Sequence, residues 1–165
     1  MPSPRVGPGA LGLAPAVRFS GYGRFAGFLH HSEHKVLHEE ELYPTALHLY
    51  EALKFLSHRP DIAKRIRHCE RPEEVYAISS SEAESTRPDW HIVAIQMMDT
   101  VLHQKFRQHG DLRALLLDTH PSDLIYAERD DPFWGEGPEG VGSNELGKAL
   151  MRVRDKLRAE AGLAP

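Results

Sequence analysis

Two stretches of the sequence set ionisable and aromatic side chains at spacings that can do chemistry. In the first, YPTALHLYEALKF from Tyr43 to Phe55, Glu51 and Lys54 stand three residues apart. On a helix that spacing puts the acid and the amine on one face with Leu47 and Tyr50, while His48, Ala52 and Phe55 occupy the adjoining face. The pair has two readings: a helix-surface ion pair contributing roughly 0.2–0.5 kcal/mol, or ionisable groups placed where core residues are expected and therefore available to a substrate. The second stretch, ERDDPFWGEGPEGVGSNELGKALMRVRDKL, leads from an acidic pair through Phe133, Trp134, Gly135, Gly137, Gly140 and Gly142 into an amphipathic helix capped by Ser143 or Asn144. Here glycines would let the backbone approach a ligand, free amides ahead of the Leu146 helix would hold an anionic oxygen, and Trp134 would offer a flat face to a base. The same residues also suit a glycine-rich surface turn with Trp134 tucked into the core. Gly135, Gly137 and Gly140 match GxGxxG literally, but the strand-to-helix context of a dinucleotide fingerprint is missing, as is the GK[ST] of a phosphate-binding loop.

Two other clusters carry less. His30, His31, His34 and His38 are dense enough to raise metal binding, yet they lack paired Cys or HExxH spacing. Lying among Glu33, Lys35, Glu39 and Glu40, they read as a solvated, partly pH-sensitive hairpin. Lys64, Arg65, Arg67 and Arg71 form a local basic cluster, which suits phosphates or, more commonly, a solvated face.

The elements that must position these groups follow from caps and breakers. Pro44 and Thr45 start the first helix, and the eleven residues from Thr45 to Phe55 contain no Gly or Pro. Pro60–Asp61 and Pro72–Glu73 each announce a short helix, with Ile62, Ile66 and Val75 as core positions. Pro88 and Asp89 open the longest helix, Trp90 to Phe106, whose apolar stripe includes Val93, Ile95, Met97 and Val101 and which Gly110 ends. DLRALLLDTHPSDL reads as a shorter helix stopped before Pro121, and LIYAER and VRFSGYGRF each contain a short strand. The fold class is mainly α: a single compact helical domain with a small β element.

At 165 residues, 41% hydrophobic and 27% charged, the chain suits one core. We expect a flexible leader over residues 1–16, rich in Pro, Gly and Ala and without a secretory h-region, a domain over 17–160 and a tail over 161–165. A net charge of −4 with pI near 6.2 excludes a broad basic surface for gripping nucleic acid. Cys69 is the one cysteine and fits a reducing compartment. No run approaches the roughly 20 apolar residues of a membrane span, and the expected location is intracellular, in cytoplasm or nucleus, as a monomer.

Several blocks in order, YGRFAGF, YPTALHLYEALKF, RPDW, KFRQHGDLRALLLDT and DDPFWGEGPEGVGSNELGKALMRVRDKL, resemble the successive signatures of the NADAR, or YbiA-like, family across most of residues 22–157. The resemblance implies a compact, mainly α-helical domain with N-glycosidase activity toward the bond between ribose and a base. Substrates of the family are riboflavin-pathway ribosylaminopyrimidine phosphates and ADP-ribose attached to guanine in nucleic acid. Lys54, Trp90, Asp131, Trp134 and Asn144 match family positions. Leu47 stands where the family usually has a glutamate of the active site, Gly27 where it has asparagine, and Glu51 where it commonly has glutamine, one turn beyond Leu47.

Under that resemblance, Asp131 is the expected catalytic carboxylate with Glu51 as auxiliary, and a desolvated Lys54 is a Schiff-base nucleophile or a partner for phosphate. Trp90 and Trp134 would clamp the base beside Tyr50, and the backbone around Gly135 and from Gly140 through Gly142 to Asn144 would face phosphate. A catalytically weakened ADP-ribose or nucleotide-binding module, and a helical interaction protein, are the alternatives. No cofactor or metal is expected. Chelator should therefore leave folding and turnover unchanged; stoichiometric zinc lost together with activity on chelation would contradict this.

Overall fold

The computed structural model describes residues 14–165; most of the expected leader lies outside that range. The short strands β1 (Val17–Phe19) and β4 (Leu124–Tyr126) pair in parallel, Val17 opposite Leu124 and Phe19 opposite Tyr126. Strands β2 (Val36–His38) and β3 (Glu41–Tyr43) form an antiparallel hairpin, whose two-residue turn holds Glu39 and Glu40 at φ 47° and 69°, as a tight hairpin turn requires. The helices are α1 (Ala46–Ala52), α2 (Pro60–Arg67), α3 (Pro72–Ser81), α4 (Trp90–Gln108), α5 (Gly110–Asp118) and α6 (Glu145–Glu160). They pack around one core that includes Phe28, Phe55, Phe106, Met98, Leu116 and Leu150. No described helix is long and apolar enough to cross a membrane.

Helix α1 is shorter than the expected stretch to Phe55. Thr45 does cap it, its hydroxyl accepting from the His48 amide at 3.2 Å, but the helix ends at Ala52 and the chain tightens into turns, Lys54 N donating to Glu51 O and Phe55 N to Ala52 O. All seven α1 residues are buried. Packing on every side, rather than propensity, sustains so short a helix.

Helix α4 also departs from the reading. Gly110 begins α5 instead of merely ending α4, and Ile95 is exposed. The buried stripe is Met98, Val101, Leu102, Lys105 and Phe106, a 3–4 spacing that a scan for apolar residues misses because one member is a lysine.

Lys105 is wholly buried. Its ammonium donates to Gly27 O at 2.6 Å, Leu29 O at 2.7 Å and Ser32 Oγ at 2.6 Å. Burial pulls its pKa down to about 7, while the three oxygens offset desolvation of the charged form. The loop it grips carries the histidines, and here the solvated hairpin is corrected: only His38 lies in β2–β3, and His30 is buried. The His30 carbonyl accepts from the Leu47 amide at 2.8 Å, fastening the loop to the start of α1. Its Nδ1 has no partner among the described residues. Burial, then the nearby His31 and Lys105, lowers its pKa to about 3.

Stability should depend on that imidazole. Above pH 6.5 it is neutral in both states; as pH falls toward 3, the unfolded chain takes a proton that the folded chain refuses, so stability is lost across this window. Urea unfolding of wild type and His30→Leu between pH 7 and 4 should show an acid slope shallower in the variant by up to about 1.4 kcal/mol per pH unit. Parallel slopes would contradict this.

Candidate functional site

The first candidate pair proves to be a closed triad. Glu51 Oε2 receives the Ser79 hydroxyl at 2.6 Å and lies 2.6 Å from Lys54 Nζ, and Lys54 donates to Ser79 Oγ at 3.3 Å. Helix α1 supplies the acid, the turn after it the amine, and α3 the hydroxyl. The carboxylate is buried with 7% of its side chain exposed, whereas Lys54 retains 21%. The surface ion-pair reading is therefore corrected: the acid lies inside and the amine at its opening. Lys54 must release Glu51 before it can act as a nucleophile.

Aromatic side chains continue from this triad. The Lys54 O accepts from Arg87 N at 2.9 Å, which pins the start of α4 and sets Lys54 Nζ 5.6 Å from the centre of the Trp90 ring. Trp90 meets Tyr50 at 5.1 Å, Tyr50 meets Trp134 edge-on at 5.8 Å, and Trp134 lies 6.4 Å from the His30 ring. Trp90 and Trp134 remain half-buried, packed on the core with part of each ring outside. Asp131 sets the second tryptophan: its Oδ1 accepts from Phe133 N at 3.0 Å and Trp134 N at 2.8 Å, the side-chain turn that Asp forms with amides ahead of it. Burial and the charge of Glu51 raise the Tyr50 phenol. The sequence-predicted residues Tyr50, Glu51, Lys54, Trp90, Asp131 and Trp134 thus belong to one continuous group.

The glycine-loop amides do something other than expected. Gly140 N donates to Gly137 O, Gly142 N to Glu136 O at 2.6 Å, Ser143 N to Pro132 O at 2.8 Å, and Asn144 N to Gly135 O at 2.9 Å. Glu145 and Leu146 donate to Phe133 and Trp134 carbonyls. These amides hold the loop together and leave no free cradle for phosphate from Gly140 to Asn144. Gly135 and Gly142 are required for the same folding-back: a Cβ on Gly135 would stand 2.5 Å from Glu128 O, and one on Gly142 2.7 Å from Glu136 O. Gly140, at φ 72°, is exposed with open space around it. Asn144, in the left-handed region at φ 51°, accepts from Tyr126 N and donates to Leu124 O, both at 2.9 Å. It ties α6 to β4 and frames the site from behind.

The basic cluster is largely neutralised, Arg65 pairing with Glu82, Arg67 with Glu41 and Arg71 with Glu74. No group of three or more His, Cys, Asp or Glu among the described residues is arranged to hold a metal ion. A recess of about 280 Å³ between α4 and α6, lined by Asp99, His103, Arg152 and Lys156 among others, shares no residue with the aromatic group, and Arg152 is tied to Asp99 at 2.8 Å. Reactive groups, not concavity, therefore locate the candidate site. Sequence reasoning missed Ser79, in a run of three serines, because only the tertiary packing of α3 on α1 singles it out.

Comparison with known proteins matches the chain to a family. Residues 15–158 match the NADAR domain. N-glycosidase YbiA of Escherichia coli (strain K12) is 34% identical over 139 residues, 84% of each chain, and an N-glycosidase of Nostoc punctiforme is 35% identical over 138 residues, 83% of this chain and 86% of the other. A riboflavin biosynthesis protein of Zea mays, chloroplastic, is 33% identical over 146 residues, 81% of this chain and 23% of that one. The NMR structure of the E. coli protein YbiA superposes with a TM-score of 0.79 at 29% identity, covering 93% of this chain and 92% of the other. With the fold and most of the chain's length shared, the protein belongs to the NADAR domain family.

Proposed function

We propose that this protein is an N-glycosidase that hydrolyses the C–N bond between ribose and a base, in ADP-ribosylated guanine or in a riboflavin-pathway ribosylaminopyrimidine phosphate. The observation that carries this reading is the Glu51–Lys54–Ser79 triad at the end of a run of aromatic rings that leads to Asp131. The names of the E. coli and Nostoc relatives support the reaction, and that of the Zea mays relative supports the second substrate class.

The chemistry fits these groups. Breaking the bond develops positive charge on the sugar; water oxygen bonds to the anomeric carbon, the C–N electron pair leaves with the base, and a proton passes to the base. Asp131, oriented by two amides, is the carboxylate that stabilises the cationic sugar. Glu51, backed by Ser79 and Lys54, accepts the proton of the attacking water. Trp90 and Trp134, with Tyr50 between them, hold the leaving base. With the loop amides occupied, a substrate phosphate must find side chains such as Lys54.

One observation favours a second reading, a catalytically weakened ADP-ribose or nucleotide-binding module. Leu47 is only 1% exposed, so the position where the family usually has a glutamate is apolar and closed to water. Incubation with ADP-ribosylated guanine and with the riboflavin intermediates, followed by mass spectrometry of released base and ribose, separates the two. Wild type should release base, and Glu51→Gln should lower turnover by roughly 10²–10⁴ with ligand affinity retained. Binding without any turnover in wild type would establish the module instead, and full activity in Glu51→Gln would leave Asp131 and Lys54 to carry the reaction.

A further inference from the structure

The grip of Lys105 on the histidine loop gathers a second set of reactive groups away from the aromatic run. Ser32 Oγ lies 2.6 Å from Lys105 Nζ and 2.9 Å from His34 Nδ1, and 3.2 Å from Gly27 O. Ser32 and His34 are both partly exposed, whereas Lys105 is wholly buried. The serine and His34 line a recess of about 290 Å³ together with Gly21, Ala26, Leu29 and His31 among others. Lys105 approaches the serine from within the core, and the recess opens the serine to solvent. None of the lining residues belongs to the Glu51–Lys54–Ser79 triad or to the aromatic group.

The partners of Lys105 suit both of its protonation states. As an ammonium it has three N–H groups and finds three oxygens, Gly27 O, Leu29 O and Ser32 Oγ. As a neutral amine it keeps two N–H groups and gains a lone pair. The two carbonyls only accept, so they take the two hydrogens, and the lone pair falls to the one partner able to donate, the Ser32 hydroxyl. A hydroxyl donating to a base at such a distance is an activated nucleophile, and serine–lysine pairs are one form of it. We propose that Ser32 is a nucleophile activated by Lys105, and that the recess takes a short activated acyl group, carried as an ester or thioester. The Ser32 oxygen bonds to the acyl carbon and its proton passes to Lys105 Nζ. The bond from that carbon to the leaving group then breaks; the departing alcohol or thiol keeps the electron pair and takes the proton from Lys105, and an acyl-serine remains. Ala26 and Leu29 supply an apolar wall for the acyl chain. With burial holding its pKa down to about 7, Lys105 is neutral in a large share of molecules at neutral pH, as an exposed lysine is not.

The titratable groups around the amine are His30, His31 and His34 of the loop, with Glu73 beyond His31 and His109 beyond His34; burial, and no carboxylate, shifts Lys105 itself. The test treats the full chain with p-nitrophenyl acetate and, separately, with an alkyl fluorophosphonate, from about pH 5 to about pH 9, and maps the modified residue by peptide mass spectrometry. Both reagents should modify Ser32 roughly 10²-fold faster than the exposed Ser143, the low end of what a positioned base contributes. The rate should climb about tenfold per pH unit and level near the Lys105 pKa of about 7. Ser32→Ala, checked for an unchanged melting temperature, should lose the adduct, and Ser32→Cys should regain acetylation at position 32. No adduct on Ser32 in wild type, or a rate no greater than at Ser143, would overturn the proposal. A rate that levels below about pH 6 would make His34 the base, its own pKa being lowered by burial, Lys105 and His109; a rate still climbing above about pH 8 would mean attack without either. Each of these would overturn the role of Lys105.

Discussion

The site depends on a buried ammonium with no carboxylate holding it. Lys105 sits in the apolar stripe of α4 and donates to two carbonyls and one hydroxyl of the segment from Gly27 to Ser32. Placing an ion in a protein interior costs on the order of several kcal/mol unless polar partners compensate. The compensation fixes the direction of dependence: the loop must adopt the one path that turns those oxygens inward. That path leaves the His30 carbonyl free to take the Leu47 amide, one of the first helical amides that lack a partner within α1. The position of Glu51, one turn later, follows from this anchorage.

The same linkage explains how a helix of only seven residues can carry reactive groups. An isolated helix of that length would not persist in water. Here α2, α3 and α4 all pack on α1, so its register cannot slip without exposing core. Glu51 is thus held on a rigid support while Lys54, just past the helix end, keeps partial contact with solvent. The acid and the amine thus differ in exposure, though they are three residues apart and 2.6 Å from each other.

Much of this was legible in the sequence where a local cause sets the structure. Thr45 as a cap, prolines opening α2 and α3, the strand around Ile125 and the fate of Pro121 each follow from the chemistry of one or two residues. The alliance of Tyr50, Lys54, Trp90, Asp131 and Trp134 was legible through the family blocks, not through spacing, since α4 and about half of the chain separate its members. What escaped was tertiary. The early end of α1 comes from the packing around it. Burial of His30 and Lys105 reverses the usual bias that puts polar residues outside, and hydrogen bonds across the fold sustain the lysine. Ser79 carries no signal of its own; it matters because α3 lies against α1.

The glycine block shows why a motif and its role must be argued apart. Gly135 and Gly142 are needed, but for the carbonyls that stand 2.5–2.7 Å from where a side chain would begin, not for a ligand. With its amides bonded to its own carbonyls and Asn144 tying it to β4, the loop is a rigid frame for the two residues it projects, Asp131 and Trp134. On the N-glycosidase reading proposed above, such a frame suits a reaction that develops charge, because a carboxylate already aimed need not reorganise as the sugar becomes cationic. It also bears on recognition: with the amides from Gly140 to Asn144 bonded within the loop, the backbone there has nothing left to offer a phosphate.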